Sequence, residues 1–166
     1  MAHIAQEVLI EYIKENQEKL YRIAYTYTKN QEAALDVVQE AITKSLENIN
    51  KLRNQDYVKT WFYRILINEA IKASKSSKNF VEYEIVEKEF YHNSHENEII
   101  ENLDIYKTIQ KLNEKIKTVI ILRFFENLKI EEIAYITKTN PSTVKSRLYK
   151  GIEELKKNIE RRIVWI

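Results

Sequence analysis

Cysteine is absent from this sequence, and glycine and proline each occur only once in 166 residues. Without cysteine there is no disulfide framework, no thiolate nucleophile and no cysteine-type zinc site. The scarcity of turn residues argues against β-hairpins, phosphate-binding loops and dinucleotide-binding folds. Unbroken apolar runs cover only a few residues, and the first residues lack the basic and then apolar pattern of a signal peptide. These absences predict an all-α, soluble protein of the cytoplasm.

The charges nearly cancel in total but are unevenly distributed along the chain. The 27 basic and 25 acidic residues give a formal net charge of +2. Residues 59–78 carry five basic and one acidic side chain, residues 80–104 one and eight, and residues 140–166 seven and three. Two basic segments separated by an acidic one favour contact with a polyanion at two places, although solvated helix faces produce the same pattern.

Apolar residues recur at spacings of three and four over most of the chain, which is the period of a helix. One apolar stripe runs from Leu9 to Tyr27, a second helix follows Asn30 as its N-cap, and a third is apolar nearly all round. From residue 78 to 97 the period fades into an acidic stretch, which we interpret as a flexible linker. The pattern therefore predicts two small helical domains, residues 1–77 and 98–166.

A helix-turn-helix pattern lies near the C-terminus. A short helix from Ile130 to Ile136 is followed by a turn, and Asn140 with Pro141 is a strong signal for the start of a second helix. Val144 and Leu148 should point inward, and Gly151 lies at a flank where a side chain would obstruct packing. The outward sector and first turn carry donors suited to the acceptors of a major groove, namely Ser142, Thr143, Lys145, Ser146, Arg147, Tyr149 and Lys150. An ordinary helical hairpin would show a similar pattern.

The residues around this pattern carry a family resemblance. The runs Leu112–Ile116, Leu122–Ala134 and Ser142–Lys150 together resemble region 4 of bacterial sigma factors. In that family, region 4 reads the minus-thirty-five promoter element and contacts the flap of the polymerase's second-largest subunit. The resemblance implies both roles here, with the outward side chains as the minus-thirty-five contacts. Many members have glycine where this chain has Asn127, a residue that also tolerates the left-handed conformation.

The second helix carries a polar stripe opposite its apolar face. The stripe consists of Asp36, Gln39, Glu40, Thr43 and Glu47. Its beginning, Asp36-Val37-Val38-Gln39-Glu40, resembles the Asp-x-x-Gln-Glu signature of sigma region 2. The resemblance implies that this stripe binds the clamp helices of the largest subunit of core RNA polymerase. An acidic and amide-bearing stripe suits a basic partner helix, whereas a merely solvated face would look the same.

The third helix and the loop before it resemble the part of sigma region 2 that captures an extruded base of the minus-ten element. The matching segments are Trp61-Phe62-Tyr63-Arg64-Ile65 with Asn68, and the loop from Lys51 to Asp56. The resemblance implies minus-ten contacts from Leu52, Arg53, Asn54, Trp61, Asn68 and Lys72. Aromatic rings stack on unpaired bases for about 1–3 kcal/mol each, and an amide can read a base edge. We expect Phe62 and Tyr63 in the core.

We expect no region 3 domain between the two modules and no acidic N-terminal extension before them. This plan is typical of the extracytoplasmic-function (ECF) sigma factors. The resemblance therefore implies a region 2-like bundle of three or four helices, a region 4-like domain, and a factor that binds core RNA polymerase with duplex and single-stranded promoter DNA. Such relatives are commonly held by an anti-sigma factor, often membrane-bound, although no residue here shows that partner.

Other functions are less well supported or stay open. His92, His95, Glu96 and Glu98 lie in the predicted linker without a periodic scaffold, so we expect no metal, no cofactor and no catalysis. A free-standing regulator would dimerise through its N-terminal half and bind palindromic half-sites without polymerase. A sigma-like decoy would occupy polymerase without reading DNA, and it would tolerate Lys145→Glu.

Overall fold

A computed structural model of the chain describes residues 2–76 and 105–164, with side chains described from residue 3 to residue 160 within those ranges. The predicted linker, with its histidines, lies outside the described residues. Every regular element of the described residues is helical, which confirms the all-α prediction. The α-helices are α1 (Ala2–Glu15), α2 (Gln17–Thr28), α3 (Gln31–Glu47), α4 (Val58–Ser76), α5 (105–110), α6 (Glu114–Ile120), α7 (Ile130–Thr137) and α8 (Pro141–Val164).

The chain divides into two compact units, Met1–Tyr83 and Glu84–Ile166. The division falls inside the segment that the sequence marks as a linker, while the predicted domain limits of 77 and 98 stay predictions. Within the described ranges, no helix is both long and apolar enough to cross a membrane.

The N-terminal unit is built around α4, which packs against α1, α2 and α3. Its side chains Phe62, Tyr63 and Leu66 are fully buried, as expected for a helix that is apolar on most sides. The hydroxyl groups of Tyr12 in α1 and Tyr63 in α4 are hydrogen-bonded, and their rings meet edge to face with centroids 6.0 Å apart. This pair attaches the N-terminal helix to the centre of the unit.

The single apolar stripe from Leu9 to Tyr27 is distributed over two helices rather than one. The break lies at Asn16, whose side-chain Nδ2 donates to the carbonyl of Tyr12 at 2.8 Å and whose backbone N–H donates to Ile13 at 3.2 Å. Asparagine competes in this way with regular helical hydrogen bonds. The apolar spacing continues across the break, so periodicity alone could not reveal it.

The C-terminal unit contains a helix-turn-helix formed by α7 and α8. The chain reaches it from α6 through a π-helical turn, Ile121–Phe125, and then Asn127 in the left-handed conformation with φ of 53°. This backbone angle confirms the expectation that Asn127 can adopt the left-handed conformation. The turn between α7 and α8 uses a second left-handed residue, Lys138, with φ of 55°.

Helix α8 approaches α6 closely at Gly151. A Cβ atom added there would lie 2.7 Å from Cδ1 and Cγ1 of Ile120 and 2.9 Å from Cγ2 of Ile116. Distances this short are repulsive, so the helices can meet at this separation only because residue 151 has no side chain. The expectation that a side chain here would obstruct packing is confirmed.

Replacement Gly151→Ala tests this contact. Overpacking should cost about 1–3 kcal/mol, and the better helix propensity of alanine should return up to about 1 kcal/mol. We expect a net loss of unfolding free energy in urea denaturation, partly reversed by adding Ile120→Val, which removes one of the contacting atoms. Lys156→Ala, at an exposed position of α8, should be nearly neutral. A Gly151→Ala protein as stable as the wild type would contradict the packing described.

Candidate nucleic-acid and partner interfaces

Helix α3 presents the predicted polar stripe to solvent. Its N-cap is Asn30, whose Oδ1 accepts the backbone N–H of Ala33 at 2.9 Å, as predicted. Ala34, Val37 and Ala41 are buried on the inner face. The opposite face exposes all five predicted residues, Asp36, Gln39, Glu40, Thr43 and Glu47. Burial of the apolar face therefore holds an acidic and amide-bearing surface in a fixed orientation.

Lys44 lies at the border of this stripe and contacts two carboxylates. Its Nζ is 3.8 Å from Oε1 of Glu40, one turn earlier, and it donates a short hydrogen bond to Oε1 of Glu69 in α4. The bond to Glu69 is the main reason that the pKa of Lys44 lies above its ordinary value of 10.5. The ammonium is thus charged throughout the neutral range. Sequence reasoning missed the pair because its members are 25 positions apart.

The loop between α3 and α4 contains two 3₁₀ turns, Ile49–Lys51 and Gln55–Tyr57. Ile49 is buried and anchors the loop, whereas Arg53 and Asn54 are exposed and Leu52 is half-buried. The side-chain oxygen of Asn54 accepts the N–H of Asp56 at 3.0 Å and caps the second turn. Asn54 therefore has a structural role in addition to the predicted minus-ten contact.

Helix α4 separates its aromatic residues into two environments. Phe62 and Tyr63 are 0% and 1% exposed, which confirms that they belong to the core. Trp61 is half-buried, whereas Asn68 and Lys72 are exposed. The helical spacing places the last three on one side of α4. A half-buried tryptophan, an exposed amide and an exposed amine thus share one face of α4, which starts at the loop.

Helix α8 begins as the sequence predicts. Oδ1 of Asn140 accepts the N–H of Thr143 at 2.8 Å and the hydroxyl of Ser142 at 2.7 Å, which fixes the first turn. Val144 and Leu148 are buried against the rest of the unit. Of the seven predicted contacts, Ser142, Lys145, Ser146, Tyr149 and Lys150 are exposed, while Thr143 and Arg147 are half-buried. Tyr149 protrudes most, at 73% exposure.

Two further residues support the helix-turn-helix and were not identified from the sequence. Nη1 of Arg123 donates to the carbonyl of Leu128 at 2.9 Å, across the left-handed Asn127. The carboxylate of Glu132 accepts the N–H of Lys129 at 2.8 Å and caps the start of α7. The spacing of Lys129 and Glu132 resembles half of a capping box, which is a signal the sequence did offer. Arg123 gave no comparable local signal.

No cluster of three or more potential metal ligands occurs within residues 2–76 and 105–164. The polar side chains instead form three surfaces: hydrogen-bond donors on α8, a mixed aromatic and polar face on α4, and an acidic stripe on α3. Such surfaces suit recognition of extended partners, and these three are separate from one another along the chain.

Comparisons with known proteins show which families the two units match. The family profile of Sigma-70 region 2 matches residues 12–79, and that of Sigma-70 region 4 matches residues 102–155. The chain is 40% identical over 146 residues to RNA polymerase sigma factor SigV of Bacillus subtilis, covering 88% of this chain and 87% of SigV. It is 27% identical over 168 residues to ECF RNA polymerase sigma factor SigW of the same organism, covering 93% and 90% respectively.

Solved structures show the same fold. The sigma factor RpoE of Bartonella quintana, in complex with the anti-sigma factor NepR, aligns with a TM-score of 0.73 and 18% identity over 93% of this chain and 98% of RpoE. CnrH, in complex with the cytosolic domain of CnrY, aligns with a TM-score of 0.70 and 15% identity over 96% and 95%. At these identities the likeness concerns the fold.

Two helical units that match these two family profiles define a transcription initiation factor of the sigma type. The chain belongs to the sigma-70 family of RNA polymerase sigma factors, in its ECF branch. Its function is promoter-specific initiation of transcription, and members of the family are initiation factors rather than enzymes.

Proposed function

We propose that α3 binds core RNA polymerase, that the loop before α4 and α4 itself capture a separated promoter strand, and that α8 reads duplex DNA. One observation carries the proposal. Every polar side chain assigned to these contacts is exposed or half-buried, while the apolar residues on the opposite helix faces are buried. The contacts could therefore form without unfolding either unit.

The proposed polymerase contact is electrostatic and helical. The stripe on α3 carries the three carboxylates of Asp36, Glu40 and Glu47 together with the amide of Gln39. Such a surface complements a basic helix pair, and we propose the clamp helices of the largest subunit as its partner. For the C-terminal unit we propose the flap of the second-largest subunit as a further contact, as in the family.

Asp36→Arg or Glu40→Lys should abolish co-purification with core RNA polymerase. Each reversal places like charges against the basic partner, and removal of an interface anchor commonly costs about 2 kcal/mol or more. Because both residues are solvent-exposed, circular dichroism should show a folded chain. Glu11→Lys, an exposed change of equal charge on α1, should leave binding unchanged. Retained binding by both stripe variants would contradict the assignment.

The proposed strand-capture face extends from the loop along α4. Asn68 follows Val58 by ten residues, which is about 15 Å along the helix axis at 1.5 Å per residue. We propose that a separated strand reaches the loop residues Leu52, Arg53 and Asn54 together with Trp61, Asn68 and Lys72. Stacking on aromatic rings and amide contacts to base edges would supply affinity and base preference.

Asn68→Ala should lower transcription from a fully duplex promoter and alter base preference at the minus-ten element. Loss of an amide contact to a base edge should reduce discrimination by about 1 kcal/mol, or about fivefold. Selection of minus-ten sequences from a randomised promoter pool would measure the change. Gln6→Ala removes an exposed amide from α1 and should not affect preference. An unchanged preference in Asn68→Ala would remove this residue from the site.

The proposed duplex contact uses the exposed face of α8. Lys145, Arg147 and Lys150 supply positive charge for phosphates and base edges, and Ser142, Thr143, Ser146 and Tyr149 supply further polar contacts. A helix-turn-helix places the start of its second helix in the major groove. We propose the minus-thirty-five element as the site it reads.

Lys145→Glu should weaken holoenzyme binding to duplex promoter DNA by at least about tenfold, since it replaces an attraction to DNA with a repulsion. Binding of the variant to core polymerase should be unchanged. Lys111→Glu changes an exposed charge outside α8 and is the matched control. A filter-binding titration at two salt concentrations would measure both. Wild-type affinity of the Lys145→Glu holoenzyme for the promoter would remove Lys145 from the proposed duplex contact.

Family membership also supports proposals on where the protein acts and what else it binds. We propose that the protein acts in the cytoplasm, where it would meet polymerase and promoter DNA. We also propose an anti-sigma factor, soluble or membrane-bound, as a partner class. Membership of the ECF branch supports this proposal.

A further inference from the structure

Glu69 is an unexpected residue in the proposed strand-capture helix. It is the single acidic residue of α4, beside the basic Lys59, Arg64, Lys72 and Lys75. It follows Asn68 directly and precedes Lys72 by one helical turn, so its carboxylate belongs to the surroundings of the capture face. An uncompensated negative charge there would repel the phosphates of a DNA strand.

Lys44 compensates that charge from the neighbouring helix. Its ammonium donates to Oε1 of Glu69, whose side chain is only 14% exposed, while Lys44 itself is 37% exposed. The remaining contact of Lys44 is Glu40 at 3.8 Å, in the proposed polymerase stripe. One ammonium group thus lies between a proposed polymerase contact and the carboxylate next to the proposed DNA contact.

We propose that Lys44 is a positioning residue for strand capture: it holds the Glu69 carboxylate against α3 and neutralises it, so that the face of Asn68 and Lys72 can accept a DNA strand. The inference rests on the proposed function of α4. It adds a residue of α3, outside the resemblance to the minus-ten helix, to the machinery of strand capture. The role is electrostatic, and Lys44 itself need not touch DNA.

A purely structural role predicts something different. If the ion pair only joined α3 to α4, strand binding would fall only as far as the stability of each variant falls, because a half-buried carboxylate left without its partner also destabilises the fold. If compensation is the role, the harm comes from an unpaired carboxylate, and removing both charges should restore binding. Lys44→Met and Lys44→Met/Glu69→Gln both lack the ion pair, but only the first retains the carboxylate. A loss of strand binding in Lys44→Met that exceeds its loss of stability, and that the double variant restores, separates these cases.

The experiment uses holoenzyme reconstituted from core polymerase and the full chain. The probe is a labelled single-stranded DNA that wild-type holoenzyme selects from a random pool. Lys44→Met should weaken binding of this strand by about fivefold, the size expected for one nearby unpaired charge in water. The double variant should return to within about twofold of the wild type. The defect of Lys44→Met should also shrink as salt is raised.

Two results would overturn the inference: wild-type affinity in Lys44→Met, or a double variant as weak as Lys44→Met. Polymerase affinity and the unfolding midpoint, measured for each variant, exclude loss of assembly or of folding as the cause of weak binding. Asn68→Ala provides the reference for the proposed function. Unchanged strand binding and base preference in Asn68→Ala would refute the capture site on α4. If Lys44→Met binds the strand as the wild type does while Asn68→Ala binds it less well, only the role of Lys44 is refuted.

Discussion

Each proposed recognition surface of this sigma factor depends on burial of the opposite face of the same helix. Val37 and Ala41 hold α3 so that its acids point to solvent, and Val144 and Leu148 do the same for the donors of α8. Fully burying a valine or leucine side chain contributes about 1.5–3 kcal/mol, more than an exposed polar contact usually returns. Apolar packing therefore fixes the orientation of the polar faces, which remain available for partners.

Polar contacts inside the protein add orientation rather than most of the stability. The ion pair of Lys44 and Glu69 joins α3 to α4. The bond from Arg123 to the carbonyl of Leu128 spans the turn before α7. A typical internal hydrogen bond contributes a net of about 0.5–1.5 kcal/mol. The pair of Lys44 and Glu69 also lies beside the proposed strand-capture face, where it would set the local charge that a DNA strand meets.

The chain forms its sharp backbone turns with almost no glycine. Lys29, Asn127 and Lys138 adopt positive φ angles, and asparagine at 127 was the one predicted from the sequence. Lysine has no special preference for this region, but Lys29 and Lys138 each follow the end of a helix, where a left-handed residue is common. The single glycine is used instead inside α8, where helix separation rather than backbone freedom requires it.

The sequence alone determined the all-α class, the helix start at Asn140, the buried positions of Phe62 and Tyr63 and the exposed stripes on α3 and α8. These features follow from the spacing of apolar residues along the chain, because that spacing indicates which face of a helix is buried. Only the three-dimensional structure revealed the break at Asn16, the capping role of Asn54 and the bonds of Arg123 and Lys44. The break and the cap depend on which of several competing local hydrogen bonds forms. Lys44 meets Glu69 only because α3 packs on α4. The spacing of apolar residues contains no information on either kind of contact.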